Sequence, residues 1–499
     1  MAENLRHELH GEVDIDAIAW HWFPTPHVAV QSLEINNDLL DAELPDVDIY
    51  PDWLSFFPGR RISVRSVELR KPDISLKKIG GNSQQEVSLP AIIVKIKDGT
   101  ITTPALAVGK RNKIPALAFS SINAILNTTP ESLAIKLRGS APYLKEISMQ
   151  GRLNLATLRY SAEIDCQGLV LSKGNILPAD GNTMFSTSDA VLSLKSKISG
   201  EGTTRFNGNI VGDMPCLLYK TAGEKMPVNC GFGDISIKKD GRAFALVVNA
   251  LEVREPNLSL SGIVSRTPQD GADDQWHIDL DAKKVDLTAI RSGVLNLLPN
   301  NEIAALVCDI VRSGEANSAS FSFDGPLADL AHLRKMTIAA DVKSAEIHIP
   351  HADLDIYDAS GPILIKDGAL TGQGLSAKYG DSVGKNGVLL VGLAHDHFGF
   401  ELNLDIDARL ADIATALKQQ VHHQSFQDEL ARFSNPQGTA SGHLTLGDHQ
   451  HHIEVAVAVD KMNGSFLYDR IPWPVSVYGG ELQVDTDDRV VKWQDIVAG

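Results

Sequence analysis

"IVKIKDGTITTPA" occupies Ile93–Ala105, and "PILIKDGALTGQG" occupies Pro362–Gly374. Each carries an apolar run into the same four letters, Ile-Lys-Asp-Gly, and each resumes at once with strand-like residues. Asp-Gly between two apolar runs is the strongest short hairpin signal, since glycine supplies the positive φ of a two-residue turn and aspartate tolerates it. Both copies therefore read as hairpin tips of a repeated structural unit, not as a duplicated catalytic loop. Comparable turns, SKGN, ADGN, KKDGR, YGG and DTDDR, punctuate the rest of the chain.

Between the turns, period-2 alternation dominates. "FGFELNLDIDARL" places Phe398, Phe400, Leu402, Leu404 and Ile406 on one face, and Glu401, Asn403, Asp405 and Asp407 on the other. "HHIEVAVAVDK" repeats the pattern at Ile453, Val455, Val457 and Val459. "RISVRSVELRKPDISLKK" alternates at Ile62 and Val64, shifts phase to Val67 and Leu69, and resumes at Ile74 and Leu76 after Pro72. Runs at 153–164, 243–253 and 338–349 read as further strands. One-sided strands of this kind belong to antiparallel sheets with one dry and one wet face.

The expected fold is mainly β: an elongated antiparallel β-sheet meander, curled into a trough or forming a repeated β-sandwich, with a few short helices inserted. The expected domains are a β-rich region over 1–284, a helical hairpin over 285–335 and a second β-rich region over 336–499. The hairpin comprises Val285–Leu298 and Asn300–Gly314, the latter capped by Asn300 or Asn301. Another helix is predicted from an Asp412 cap to Asn435–Pro436, broken near His422 and His423. A short amphipathic turn is read at Pro51–Phe57.

Among 499 residues, 63 are acidic and 46 basic, for a net charge of −17. That balance disfavours a nucleic-acid partner, whose phosphates are bound by Lys and Arg, and disfavours an anionic bilayer. The 43% hydrophobic share is enough for a core, and with 6% aromatics that core rests on aliphatic residues. No run is long and apolar enough to span a membrane, and the first residues lack the features of a signal peptide. The chain thus reads either as cytosolic or as a fragment without its anchor or leader. The four cysteines form no CxxC. Cys216 and Cys230 are read equally as a bridge or as free thiols, and Cys308 as helix packing.

Catalytic motifs are sparse, so the chain is read as non-enzymatic, with no catalytic, cofactor or metal residue assigned. "GDSVG" at Gly380–Gly384 fits G-x-S-x-G, but strand-like residues follow where a nucleophile elbow needs a helix. It reads as a turn. Histidines cluster at 395/397, 422/423 and 449/451/452, the last on a hairpin tip, and make a metal-assisted hydrolase a third, weaker option. An open apolar trough would suit acyl chains, whereas a closed sandwich would hold no ligand. Phe398, Phe400, Leu402 and Leu404 are the candidate lining of such a trough.

Three passages resemble the AsmA-like family of Gram-negative envelope proteins, which are related to bridge-like lipid-transfer proteins. The first is "GEVDIDAIAWHWFPTPHVAVQSLEI", with its Trp22–Pro26 corner, followed by "YPDWLSFFPGRRISVRSVELRKPDISL". The others are "AEIHIPHADLDIYDASGPILIKDGALTGQGLSAKYGDSVGKNGVLLVGL" and "SFLYDRIPWPVSVYGGELQV". The resemblance implies a periplasmic protein that handles phospholipid or other lipid, or serves outer-membrane assembly. It also implies an inner-membrane helix upstream, missing here, so the chain reads as a piece of a larger protein with possible envelope partners. The family lends no catalytic residue and no cofactor. The alternative is a structural scaffold of the envelope with a closed β core.

Overall fold

The computed structural model describes residues 12–52, 63–77, 89–108, 112–114, 116–170, 185–187, 191–213, 217–221, 224–255, 257–297, 302–349, 354–393, 399–420, 424–449, 452–479, 481–485, 490–494 and 497–498. Strands hold 74% of them and helices 10%. The chain is mainly β, a long antiparallel meander with a few short helices. It divides into two units, Met1–Arg254 and Glu255–Gly499. Among the described residues no helix is long and apolar enough to cross a membrane.

In the first unit the main strands are Glu12–His21 (β1), His27–Asn36 (β2), Leu40–Pro51 (β3), Val64–Arg70 (β4), Asp73–Leu76 (β5), Ile93–Thr102 (β6) and Ala118–Thr129 (β7). They continue as Ser132–Ala141 (β8), Leu144–Asn154 (β9), Arg159–Leu169 (β10), Leu192–Glu201 (β11), Arg205–Asp213 (β12) and Glu224–Asp240 (β13). Among the described residues these neighbours pair antiparallel, with one exception. β4 and β5 behave as a single strand interrupted at Lys71–Pro72, antiparallel to β3 and parallel to β6.

The two copies of Ile-Lys-Asp-Gly differ in structure. Ile365–Gly368 is the expected hairpin tip, with Asp367 at φ 53° and Gly368 at φ 79° joining Lys366 to its partner Ala369. The first copy is not a tip, because β6 runs straight through it. Asp98 takes φ 54° as a bulge, and the register against β7 slips between Ile96 and Gly99. The physical reason lies in the parallel neighbour. Lys71, also at φ 50°, breaks β4 from β5 at the same level. The Lys71 N–H donates to Lys97 O and the Thr100 N–H to Pro72 O, both at 2.8 Å, locking the two kinks together.

The same device recurs at Ser32 in β2 and Ser121 in β7. At each bulge the apolar phase slips by one residue, from Val30 to Leu33 and from Ile96 to Ile101, so the dry face survives on both sides. Bulges bend a strand and increase its twist. Aligned from β2 to β7, they crease the sheet across its strands. Apolar side chains crowd there into small clusters around Val30, Leu44 and Val47, and around Ile96, Ile122 and Ala124.

One expected strand, 153–164, is interrupted. Residues 155–157 form a turn without Gly or Pro, fixed by the Thr157 N–H donating to Asn154 Oδ1 at 2.8 Å, with Leu158 at φ 53°. An Asx side chain can mimic a backbone turn, which strand periodicity does not reveal.

The second unit meanders through Leu258–Thr267 (β14), Gln275–Asp286 (β15), Val311–Pro326 (β16), Met336–Ile349 (β17), Leu354–Lys366 (β18), Ala369–Tyr379 (β19), Ser382–Gly392 (β20), Phe400–Arg409 (β21), Phe433–His449 (β22) and His452–Tyr468 (β23). Positive φ at Lys284, Ser344, Asp358 and Asn386 marks bulges like those of the first unit. Two helices, Leu287–Leu297 (α1) and Glu302–Ile310 (α2), follow β15. Asp286 Oδ1 caps the first by accepting from the Thr288 and Ala289 N–H groups. Arg291 Nε donates to Cys308 O at 2.6 Å, tying the two together. The second helix stops at Ile310, short of the expected Gly314, because Val311 already pairs with Ile347 in the sheet. Asn300 and Asn301 lie outside the described residues.

The later helix is also shorter than expected. Leu410–Gln420 (α3) and Gln424–Leu430 (α4) precede a strand that starts at Phe433, so Asn435–Pro436 lies within β22. Asp412 sits in the first turn of α3 and does not cap it. The break expected at His422–His423 and the Pro51–Phe57 turn lie outside the described residues, apart from Pro51 and Asp52. Cys308 is buried with its thiol pushed up by burial, and Cys166 is free. The side chains of Cys216 and Cys230 are outside the described set.

Candidate functional site: an uncharged stripe in each unit

Backbone register shows what alternation alone cannot, namely which side chains line up across strands. In the first unit one lateral row reads Trp20, Val28, Ile49, Val67, Val94, Leu126, Ile135, Gly151, Ala162, Ile198, Gly208 and Ile237. It crosses twelve strands without one charged or hydrogen-bonding side chain other than the Trp20 indole. At about 4.8 Å per strand it extends roughly 50 Å along the sheet. Every side chain in it beyond Trp20 that carries a Cβ is half-buried, while Gly151 and Gly208 are buried by their neighbours. These residues shield one another only in part.

The adjacent row, nearer the crease, is tighter. Val30 is 4% exposed, Val47 3% and Ile96 8%. The stripe therefore has a packed row along the crease and a half-buried row beside it.

The second unit repeats the arrangement. Leu260, Ala282, Ala319, Ala340, Ile363, Gly372, Leu389, Leu402 and Leu446 form a row across nine strands. Phe400 falls in the next row, opposite Val391, and Leu404 pairs with Leu444. Phe400, Leu402 and Leu404 are all half-buried on one face of β21. Phe398 lies outside the described residues. The longer stripe of the first unit was missed from the sequence, because Val, Ala and Gly on separate strands form a row only once the register is known.

The opposite faces are wet. Asp405 and Asp407 are exposed, as expected; Asn386 Nδ2 and His443 Nδ1 flank Asp405 at 2.9 and 3.1 Å, and these hydrogen bonds hold its carboxyl below the usual range. Cross-strand pairs such as Lys385–Asp407 at 3.0 Å and Lys378–Asp358 at 2.9 Å recur along the face. Each contributes at most about 1 kcal/mol in water.

The densest polar group joins β3, β4 and β6. Arg70 bridges Asp48 at 2.6 Å and Glu68 at 3.4 Å, and Lys97 Nζ donates to Glu68 Oε1 at 2.6 Å. The Lys97 hydrogen bond lowers the Glu68 pKa, with Arg70 assisting and burial opposing. A depressed carboxyl contributes stability above its unfolded pKa and loses it as pH falls through the folded value. Glu68→Gln should therefore melt below wild type at pH 7, with the gap closing below about pH 4. Because Lys97 and Arg70 are half-exposed, the gap should be about 1 kcal/mol. A gap unchanged with pH in thermal melts would rule this account out.

The G-x-S-x-G match, read from the sequence as a turn, is a turn leading into a strand. Ser382 begins β20, and its Oγ donates to Asp412 Oδ2 at 2.7 Å while accepting from the Arg409 N–H at 2.9 Å. The Asp381 N–H donates to the same carboxylate oxygen at 2.9 Å. The Gly380–Asp381 turn, with Gly380 at φ 57°, is thereby docked on the start of α3. A nearby open depression of about 650 Å³ is bordered by Asp381, Asp407, Arg409 and Lys461. Its Arg409 and Asp381 are already paired at 3.0 Å. His449 pairs with His452 across a hairpin tip, as expected. The side chains of all seven clustered histidines lie outside the described set. Among the described residues no group of three or more His, Cys, Asp or Glu could hold a metal ion. No protein-family model matches the chain, and no curated protein matches it.

Proposed function

We propose that this chain is a non-enzymatic lipid-handling protein of the Gram-negative envelope, acting in the periplasm in phospholipid transport or outer-membrane assembly. Acyl chains lie along the apolar stripes, and headgroups remain in water. The observation that carries the reading is the Trp20–Ile237 row: twelve strands, uncharged and half-open. The resemblance to AsmA-like proteins points the same way.

The energetics suit exchange rather than storage. Burying a methylene contributes about 0.8 kcal/mol, so a 16-carbon chain shielded on one side would gain about 6 kcal/mol. A bilayer shields the same chain on all sides and holds it more tightly. Lipid on a half-open stripe can therefore leave again. The acidic surface keeps such an object soluble and offers no cationic grip on a headgroup.

Mass spectrometry of organic extracts from the purified chain, beside a mock purification from the same host, tests the proposal. Stoichiometric phospholipid in the protein sample alone is expected. Clean extracts would favour a closed envelope scaffold.

A further inference from the structure

The hairpin between β1 and β2 exposes large aromatic side chains. Trp20 is 41% exposed, Trp22 68% and Phe23 88%, and residues 16–21 of β1 are exposed on both faces. Such surfaces are costly in water and are rarely concentrated on one turn without a partner. The Trp20 and Trp22 rings meet edge-on at 5.3 Å, and the His21 and His27 rings stack at 5.1 Å, so the tip is held in shape by its own side chains. His27 Nδ1 lies 2.8 Å from Thr25 O, bracing the turn.

Two further observations select the partner. The segment Trp20–Val28, "WHWFPTPHV", contains no Asp, Glu, Lys or Arg in a chain whose net charge is −17. Its outer part, Trp22–Pro26, can enter an apolar medium without desolvating a fixed charge, while His27 at the base faces Asp48 at 3.8 Å; the segment offers no Lys or Arg to an anionic surface. Tryptophan is the residue enriched at membrane–water interfaces, where its ring is buried and its N–H stays wet. Trp20 is also the first member of the uncharged row, so the tip is continuous with the stripe.

We propose that the Trp20–Val28 tip docks on a zwitterionic bilayer surface, inserting Trp22 and Phe23 at headgroup level and bringing the open end of the stripe to the lipid. The inference rests on the lipid-handling reading and supplies the place where lipid enters.

The test is co-sedimentation of the full chain with phosphatidylcholine vesicles, with and without anionic lipid. Wild type should bind the neutral vesicles, and added anionic lipid should not strengthen binding. Trp22→Ser with Phe23→Ser should weaken partitioning about tenfold or more, whereas Leu158→Ser, which removes an exposed leucine from another turn, should leave it unchanged. Should the double variant fail to fold, Trp20→Phe with Trp22→Phe keeps the ring bulk. That variant should still bind, yet lose the fluorescence quenching that brominated phosphatidylcholine produces in wild type. Binding that requires anionic lipid, or quenching that persists in the Phe variant, would overturn the proposal. Extracting lipid from the same preparations separates the two readings. Bound lipid without vesicle docking sinks the tip alone, and docking without bound lipid sinks the stripe.

Discussion

Glutamate at both Ile135 and Ile198 is expected to leave the protein folded and to reduce its bound phospholipid about tenfold or more. The two positions lie in the Trp20–Ile237 row, on β8 and β11, where each is half-buried. Ile135 sits between Leu126 and Gly151, and Ile198 between Ala162 and Gly208. Removing two half-buried isoleucines costs about 2 kcal/mol in lost burial. That corresponds to a fall in Tm of less than about 8 °C for a unit of this size. The carboxylates can turn outward while the stripe is empty. With an acyl chain on the stripe they must be desolvated, at several kcal/mol each, so lipid is excluded and the fold is not. In a closed sandwich the order reverses, because unpaired buried charges would unfold the protein first. Lipid content and melting temperature from the same preparation distinguish the two. Leu402→Glu makes the parallel test in the second unit, between Leu389 and Leu446.

Much of this architecture was legible in the amino acids, and the failures share a cause. Alternation along β21 and β23 identified wet and dry faces, because period 2 is a local property. The phase slip from Leu69 to Ile74 was also visible, and it marks the Lys71 break. The slip was a bulge written in sequence. What could not be read was anything set by a neighbouring strand. Ala162, Gly151 and Gly208 have no apolar character worth noting until register places them between Ile135, Ile198 and Ile237. The turn after Asn154 was hidden for a related reason, since an Asx side chain replaced the expected glycine. Helix ends at Ile310 and Leu430 were overrun because sheet pairing claims the residues that follow, at Val311 and Phe433. Ser382 matched a catalytic motif, and only its partners, Asp412 and the Arg409 N–H, show that its hydroxyl is occupied in joining a turn to a helix.

The repeated tetrapeptide permits a sharper test, because the same four letters should respond differently to the same substitution. At Gly368 the constraint is conformational: φ is 79°, where a β-branched residue is an outlier and an L-residue costs about 1–2 kcal/mol. At Gly99 the constraint is space. An added Cβ would lie 2.9 Å from both Ile96 Cγ2 and Pro72 Cγ, in a packed part of the crease. Valine should therefore destabilise at either site, by about 1–3 kcal/mol at Gly99 through overpacking and by a similar amount at Gly368 through strain. Asparagine separates the two causes. It tolerates the left-handed region, so Gly368→Asn should cost well under the valine variant. At Gly99 its bulk meets the same two side chains, so Gly99→Asn should cost about as much as valine. Thermal or denaturant unfolding of the four variants decides the matter. If asparagine were equally mild at both sites, Gly99 would be a turn residue after all. The crease that keeps Ile96 and Ile101 on one dry face would then need another explanation.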